Sequence, residues 1–500
     1  MKNQRKFSAT RLLTAALAAA MMLGTAAPAA AQTNSTTRKT IPLKHPATTF
    51  RTLVNFDGAD GANPDRPPIQ GTDGYLYGTA GSGGANGQGV LFKMTPTGKK
   101  QNLLYSFCPQ AGCPDGSGPG ALALGADGSI YGPTIGGGMF GYGTLFKFTG
   151  SGTPATLHNF GDTDGSSPGD RMVQVGDGNF YGTTFYGGTN KKCYSGGCGT
   201  VFKITPGEKL TTLHDFCSQT GCTDGAIIFS SLALGTDGDF YGATFWGGGE
   251  ADGGTIFKVT PKGKLTTVYR FCVDYPACND GSNPIGPVLG PDGNFYGTTA
   301  FGGDYSEGAV FKFNPTSGML TAIYSFCTQM ACTDGSDARS GIILGSDGNF
   351  YGTTYYGGTY NLGTVFQITP AGALTTLHSF DGKDGYDPIG VMFQATNGTF
   401  YGQTTMGGSG GQGTIFSLSV GLPPFVETAP TSGSVGTIVI ILGNKLTGTT
   451  SVTFNGTPAS FTVASKSEIT ATVPTGATTG PVQVTTPSGT LTSNVNFQVL

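Results

Sequence analysis

The sequence predicts an all-β protein assembled from tandem four-stranded units, and three observations carry that prediction. A Tyr-Gly pair recurs at Tyr77, Tyr131, Tyr181, Tyr241, Tyr296, Tyr351 and Tyr401, at spacings of 50 to 60 residues. An Asp-Gly or Asn-Gly pair, the strongest short hairpin signal, precedes each of them, at Asp73, Asp127, Asp177, Asp237, Asp292, Asp347 and Asn397. Glycine is far above its usual level, 86 of 500 residues, beside 33 Phe and 20 Tyr. Glycine without a period of three excludes collagen, and that many aromatics exclude a disordered linker.

Repeat six shows the unit. Ile342 to Leu344 is apolar, Asp347-Gly348 turns the chain, and Asn349 to Tyr355 is a second extended stretch. Gly357-Gly358 opens a loop before a third strand at Thr364 to Thr369 and a fourth at Leu374 to Phe380. Four short strands joined by hairpins make the blade of a β-propeller. A solenoid would need capping repeats, and none is seen. The seventh repeat stops at Gly421 after its third strand, Thr414 to Val420. An orphan strand, Phe50 to Phe56, stands before the first repeat and matches LTTLHSF of repeat six. The expected fold is therefore a seven-bladed β-propeller with four-stranded blades, its N-terminal strand closing the last blade and removing two exposed edges. In such a meander the first–second and third–fourth turns share one end. The longer second–third and inter-repeat loops share the other, and function usually sits on such loops.

The N-terminus reads as an export signal: basic Lys2, Arg5, Lys6 and Arg11, an apolar run from Leu12 to Leu23, then Ala29-Ala30-Ala31 before Gln32. No cysteine follows the run, so a lipid anchor is not expected, and no transmembrane segment should remain after cleavage. Losing the four basic residues takes the formal charge from −3 to −7, which disfavours nucleic acid as a partner.

Ten cysteines form five close pairs: Cys108 with Cys113, Cys193 with Cys198, Cys217 with Cys222, Cys272 with Cys278, and Cys327 with Cys332. The spacing is not that of a metal knuckle, so local disulfides are expected, with no metal. Four pairs fall in inter-repeat loops, and that of Cys193 and Cys198 falls in the second–third loop of repeat three. After Pro424 cysteine disappears and Thr, Val and Ser dominate. Runs at Thr437 to Leu442, Ser451 to Phe454, Ala459 to Val463, Glu468 to Val473, Val482 to Thr486 and Val495 to Val499 suit an immunoglobulin-like β-sandwich. The expected organisation is a signal peptide (1–31), a flexible segment (32–47), the propeller (48–420), a linker (421–424) and the sandwich (425–500).

Two resemblances follow. The run G-x-D-G-N-F-Y-G-T-T with a following G-G, as at Gly345 to Thr354 and Gly357-Gly358, and G-T-V-F-K-I-T-P at Gly199 to Pro206 resemble the GloVer-type tandem repeat of exported bacterial choice-of-anchor proteins. That likeness implies a secreted or surface repeat protein with no established activity. Such proteins often carry a C-terminal sorting tail, whereas this chain ends at Val499-Leu500 without one. Residues 425–500 resemble an IPT/TIG domain through PTSG at Pro430 to Gly433, the Gly436 to Gly443 run, VTFNG at Val452 to Gly456, and ATVP at Ala471 to Pro474. In exported bacterial proteins the resemblance implies a spacer or adhesive module.

Asp60, Asp115, Asp164, Asp224, Asp280, Asp334 and Asp384 each precede a glycine in the inter-repeat loops. Calcium would need more oxygens than each loop offers, so turn capping is expected. His158, His214 and His378 share one position in the fourth strand and are expected to be packing residues. Lys93, Lys147, Lys203, Lys258 and Lys312 recur in the third strand, where a solvated position is expected. At the end of the second strand stand Tyr186, Trp246, Phe301 and Tyr356, with Met406 in repeat seven. Aromatic faces there can stack on a sugar or pack on a neighbouring blade, and these four aromatics are the candidate ligand-binding residues. No acid–base pair or nucleophile breaks the repeat symmetry near the axis, so no catalytic residue and no cofactor is expected. The function expected is that of an exported, non-enzymatic binding or surface-interaction protein, extracellular, at the cell surface or in the periplasm, with a glycan or cell-envelope component as partner. A propeller enzyme acting on polysaccharide, a lyase or hydrolase, and a structural spacer are the alternatives.

Overall fold

The computed structural model describes residues 48–99, 102–193 and 196–500. The expected signal peptide and the segment 32–47 lie outside the described residues. Among those residues the secondary structure is β-strand apart from two short 3₁₀ turns, Thr220–Cys222 and Met330–Cys332.

Seven antiparallel sheets follow one another along the chain. Repeat six has strands Ile342–Leu344, Phe350–Thr354, Thr364–Ile368 and Leu374–Ser379, within one or two residues of the sequence expectation. The sheet of repeat seven draws its outer strand from the start of the chain: Thr49–Asn55 pairs antiparallel with Thr414–Ser419, Phe50 opposite Leu418 and Asn55 opposite Thr414.

The repeated motif has a physical reason at each position. The turn aspartate accepts a backbone N–H two residues on, as in Asn349 N to Asp347 (3.2 Å), and also the hydroxyl of the motif tyrosine, as in Tyr351 (2.9 Å). The motif glycine leaves room for the third-strand phenylalanine. A Cβ built on Gly352 would lie 2.7 Å from the Phe366 ring, and one on Gly182 would lie 2.6 Å from that of Phe202. The threonine that closes the second strand meets the threonine that opens the third, Thr354 with Thr364 at 2.8 Å and Thr244 with Thr255 at 2.8 Å. The third-strand lysines are not merely solvated, contrary to expectation. Lys147, Lys258 and Lys312 pair with the turn aspartates Asp127, Asp237 and Asp292 at 2.7 to 2.8 Å. The hairpin register sets these residues opposite each other.

Consecutive sheets share their cores face to face. The motif tyrosine of one sheet packs on the phenylalanine that opens the second strand of the next, as in Tyr181–Phe240 (4.3 Å) and Tyr351–Phe400 (4.1 Å between centroids). The last sheet packs on the first in the same way: Val54, Phe56, Tyr401 and Ile415 share one buried cluster with Leu76, Phe92 and Met94. The segments that lead into the first strands also contact the neighbouring repeat. Ser340 Oγ donates to Pro388 O (2.6 Å), and Thr183 Oγ1 donates to Ser230 O (3.1 Å).

The C-terminal region forms two facing sheets. One holds Glu427–Ala429, Ile438–Leu442, Glu468–Thr472 and Phe461–Val463; the other holds Thr457–Pro458, Ser451–Phe454, Val482–Thr486 and Gly489–Thr492. Their core contains Val439, Ile441, Phe454, Ile469, Val484 and Phe497. The expected last strand shortens to Gln498–Val499, and Gly489–Thr492 is a strand not anticipated.

Candidate binding face and inner-strand cluster

Each repeat ends its second strand in a fixed way. The residue after the strand pairs with one from the preceding inter-repeat loop through two backbone bonds. Trp246 pairs with Ala226 (2.8 and 2.9 Å), Tyr186 with Ser166 (2.8 and 3.1 Å), and Tyr356 with Ser336 (3.0 and 3.1 Å). The candidate aromatics are thus anchored by their backbones at the long-loop end. Their side chains divide into two kinds. Tyr186 and Trp246 are half-buried and pack on the core between the third and fourth sheets. Phe301 and Tyr356 are 43% and 44% exposed.

More aromatics stand on this end than the sequence analysis selected. Phe140, Tyr305 and Tyr360, in second–third loops just beyond the Gly-Gly pair, are exposed, as is Tyr275 in an inter-repeat loop. The sequence signal was available: an aromatic within five residues of that pair in repeats two, five and six.

The loops that carry them are held from below. The recurring aspartates cap turns as expected. Asp164 accepts Gly161 N (2.8 Å), Asp224 accepts Ser218 N (2.9 Å), and Asp334 accepts Thr328 N (3.0 Å). Each also binds a fourth-strand side chain. Asp164 pairs with His158 at 2.8 Å and Asp384 with His378 at 2.6 Å, while Asp334 accepts Tyr324 Oη at 2.7 Å. The histidines therefore pack, as in the stacking of His378 on Phe50 (3.6 Å), and also fasten the loop. Burial alone would raise the Asp224 carboxyl, but hydrogen bonds from His214, Ser218 and the backbone outweigh it and hold the group at about 2.

All five expected disulfides form in these loops. Cys108 is bonded to Cys113, Cys193 to Cys198, Cys217 to Cys222, Cys272 to Cys278, and Cys327 to Cys332. In the inter-repeat loops the second cysteine also ties the loop to its own sheet. Cys113 O accepts Gly116 N (2.9 Å) and Gly138 N (2.8 Å), and Cys278 O accepts Gly281 N (2.9 Å) and Gly303 N (2.9 Å). Gly138 and Gly303 belong to the Gly-Gly pairs that open the second–third loops. The cysteine pairs therefore fix the shape of the long-loop end.

The segments leading into the first strands of repeats one and three hold a charged cluster that was not expected. Asp65-Arg66 of repeat one and Asp170-Arg171 of repeat three replace the small or apolar residues found at these positions in most other repeats. Arg66 Nε donates to Gly169 O (3.1 Å), and its guanidinium lies 3.7 Å from Asp170. The repeat symmetry is broken at the inner strands after all. The cause is a contact between residues over 100 positions apart, which only the curvature of the sheet array brings together. Nearer the long-loop end, Arg339 pairs with Asp337 and stacks over Tyr355 (4.5 Å). Burial raises the neighbouring Asp387 carboxyl, with Tyr355 and Arg339 opposing.

At the opposite end the C-terminal domain meets the tight first–second turns. Ser467 Oγ donates to Thr72 O (2.7 Å), Asn444 Nδ2 to Thr396 Oγ1 (2.8 Å), and Gln498 Nε2 to Leu234 O (3.3 Å). These contacts reach repeats one, seven and four. Glu427, in the first strand of the domain, interacts with Arg171; burial pushes its carboxyl up to about 7 while the arginine opposes the rise.

Sequence comparison assigns the family. The profile of the Gloeobacter/Verrucomicrobia repeat matches residues 13–231 and 194–416, and that of the IPT/TIG domain matches residues 425–499. The chain belongs to the Gloeobacter/Verrucomicrobia repeat family. No curated protein matches this Gloeobacter/Verrucomicrobia repeat chain. Solved structures similar to it include the extracellular domain of the putative one component system BT4673 from B. thetaiotaomicron, at 12% identity and TM-score 0.48. That match covers 88% of this chain, which spans 46% of the length of the other. A gluconolactonase, XC5397 from Xanthomonas campestris, matches at 11% identity and TM-score 0.36, over 74% of this chain and 89% of that one. A fungal alcohol oxidase in complex with copper matches at 14% identity and TM-score 0.48, over 91% and 99%. These are remote likenesses, and the Gloeobacter/Verrucomicrobia repeat takes no activity from them.

Proposed function

We propose that the seven sheets are the blades of a closed β-propeller sealed by Thr49–Asn55, and that the protein is an exported, non-enzymatic binding protein that holds a glycan or cell-envelope component on its long-loop end. The shared core of the seventh and first sheets supports the ring. Five disulfides support an oxidising compartment, whether extracellular, cell-surface or periplasmic. No helix among the described residues is long and apolar enough to cross a membrane.

The observation that carries the binding proposal is the set of exposed aromatics on one end: Phe140, Phe301, Tyr305, Tyr356 and Tyr360. Exposed rings on capped, disulfide-fixed loops lose little entropy when they stack on a ligand, and their faces suit the apolar faces of sugars. The test is a glycan array followed by calorimetry on wild type, Phe301→Ala and Tyr356→Ala. Each substitution is expected to weaken binding by roughly tenfold, about 1.4 kcal/mol, with the melting temperature unchanged. Trp246→Ala should weaken binding and stability together, because that ring is half-buried. Wild type that binds no glycan, or variants that bind as well as wild type, would end the proposal.

One observation favours the enzymatic alternative. Asp387, with its raised carboxyl, lies beside Tyr355 and Arg339, the kind of acid that protonates a leaving group. Turnover of a bound polysaccharide that disappears in Asp387→Asn would select that alternative.

A further inference from the structure

Four of the ten cysteines lie together. Cys193 and Cys198 are joined in the second–third loop of repeat three, and Cys217 and Cys222 are joined in the loop that follows its fourth strand. The other three disulfides each belong to the inter-repeat loop of a different repeat. In repeat three the Sγ atoms of Cys193, Cys217 and Cys222 all lie within 4.8 Å of one another. Cys193 therefore stands within 4.8 Å of both sulfurs of a bond that is not its own. Cys198 and Cys217 are fully buried, while Cys193 and Cys222 are partly exposed. Two lysines precede Cys193. Lys192 Nζ donates to Cys217 O (3.2 Å), and Lys191 Nζ donates to Gly196 O (2.7 Å) and pairs with Asp162 (2.8 Å). The thiolate is the attacking form in disulfide exchange.

We propose that these four cysteines form a thiol–disulfide exchange centre, in which the two long loops of repeat three trade a link within one loop for a link between them. An external dithiol first reduces Cys193–Cys198. Its two electrons pass to that bond, the dithiol becomes a disulfide, and its two protons end on Cys193 and Cys198. Cys193 then gives its proton to water and attacks one sulfur of Cys217–Cys222. A new S–S bond forms, the old one breaks, and the released sulfur leaves as a thiolate that takes a proton from water. This second step is redox-neutral. The new link ties the second–third loop to the inter-repeat loop beside Tyr186 and Trp246, so exchange would reset the wall of the long-loop end at that repeat.

The test starts from Cys198→Ser in the full chain, expressed in an oxidising compartment. The protein is acid-quenched, alkylated, digested without reduction and mapped by mass spectrometry. In most molecules Cys193 is expected to be linked to Cys217 or Cys222, with the other of those two alkylated. An intact Cys217–Cys222 bond with alkylated Cys193 would overturn the proposal. Cys193→Ser is the control. It leaves Cys198 as the free thiol, and Cys217–Cys222 is expected to stay intact; reshuffling there as well would mean indiscriminate exchange and would also overturn it. Wild type treated briefly with less than one equivalent of a dithiol avoids any folding defect. The inter-loop link should appear in its map, and its absence counts against the centre.

Discussion

Phe56→Ala tests whether the first and last sheets are joined as the shared core indicates. Phe56 is fully buried just after the strand Thr49–Asn55. Its ring meets that of Phe92 in the first sheet edge-on at 5.6 Å between centroids, and its backbone N–H bonds Gly413 O of repeat seven at 3.0 Å. Truncating a buried phenylalanine costs about 3–5 kcal/mol through lost transfer energy and the cavity left behind. With a guanidinium m-value of about 5 kcal/mol/M for a protein of this size, the unfolding midpoint should fall by roughly 0.6–1 M. The assay is denaturation followed by two probes, far-UV circular dichroism and Trp246 fluorescence. Trp246 sits at the core between the third and fourth sheets, far along the chain from Phe56. A closed ring loses stability as a unit, so both probes should shift together. An open array would lose its ends alone, because in tandem repeats each unit leans only on its neighbours. An unmoved Trp246 transition, or a midpoint change below about 0.2 M, would refute the closure.

Two further perturbations test the motif and the junction with the C-terminal domain. Gly352→Ala places a methyl 2.7 Å from the Phe366 ring, and overpacking of that kind should cost about 1–3 kcal/mol in a thermal or chemical melt, whereas Gly411→Ala, with open space at its Cβ, gives only the smaller cost of its positive φ. Glu427 is held at about 7 in the fold, against an ordinary glutamate value of 4.5, so the folded state keeps a proton that the unfolded chain releases. A raised carboxyl contributes stability that is complete below pH 4.5 and declines as pH rises through 7, a loss of about 3 kcal/mol across that window. Melts from pH 4 to 8 should show that decline in wild type and a flatter profile in Glu427→Gln; equal slopes would remove Glu427 as its source.

The repeats were legible because local signals decide them. Turn aspartate, motif glycine and alternating apolar residues lie within a dozen positions, and seven copies agree. Hence the strand Ile342–Leu344 matches expectation to the residue. The disulfides were legible for the same reason: Cys108 and Cys113, like Cys272 and Cys278, close loops of a few residues, so no distant contact decides the pairing. The strand Gly489–Thr492 was missed because its Ser-Gly-Thr start has the composition of a turn, and pairing with Val482–Thr486 decides it instead. The lysine–aspartate pairs were readable in principle, since each lysine follows its aspartate by 20 or 21 positions, the span of one hairpin. The aromatics at the ends of the second strands were found. Phe140, Tyr305 and Tyr360 were not, because they lie beyond the Gly-Gly pair in loops whose course no local pattern fixes. The inner-strand cluster was the least legible. Arg66 and Asp170 look like ordinary solvated charges until the sheets bring their innermost strands together.

The two ends of the sheet array differ for a reason that bears on where a ligand can enter. Tight turns leave little side-chain surface, and the C-terminal domain lies against them in repeats one, four and seven through Thr72, Leu234 and Thr396. In the proposed ring, contacts spread over repeats one, four and seven would lay the domain across that end. Buried Arg171, just before the strand Val173–Gln174, answers to Glu427 of that domain, so the two are joined electrostatically. If the array closes as proposed, a domain lying over that end leaves Arg66–Asp170 and Arg339–Asp337 to be reached from the end that carries the exposed aromatics. A ligand stacked on Phe301 or Tyr356 and one reaching toward the axial charges would enter by the same side. For that reason the loop aromatics and the axial arginines belong in one mutational series: substitutions at both should weaken the same ligand if it spans the mouth, and only the aromatic set should matter if it lies across the rim.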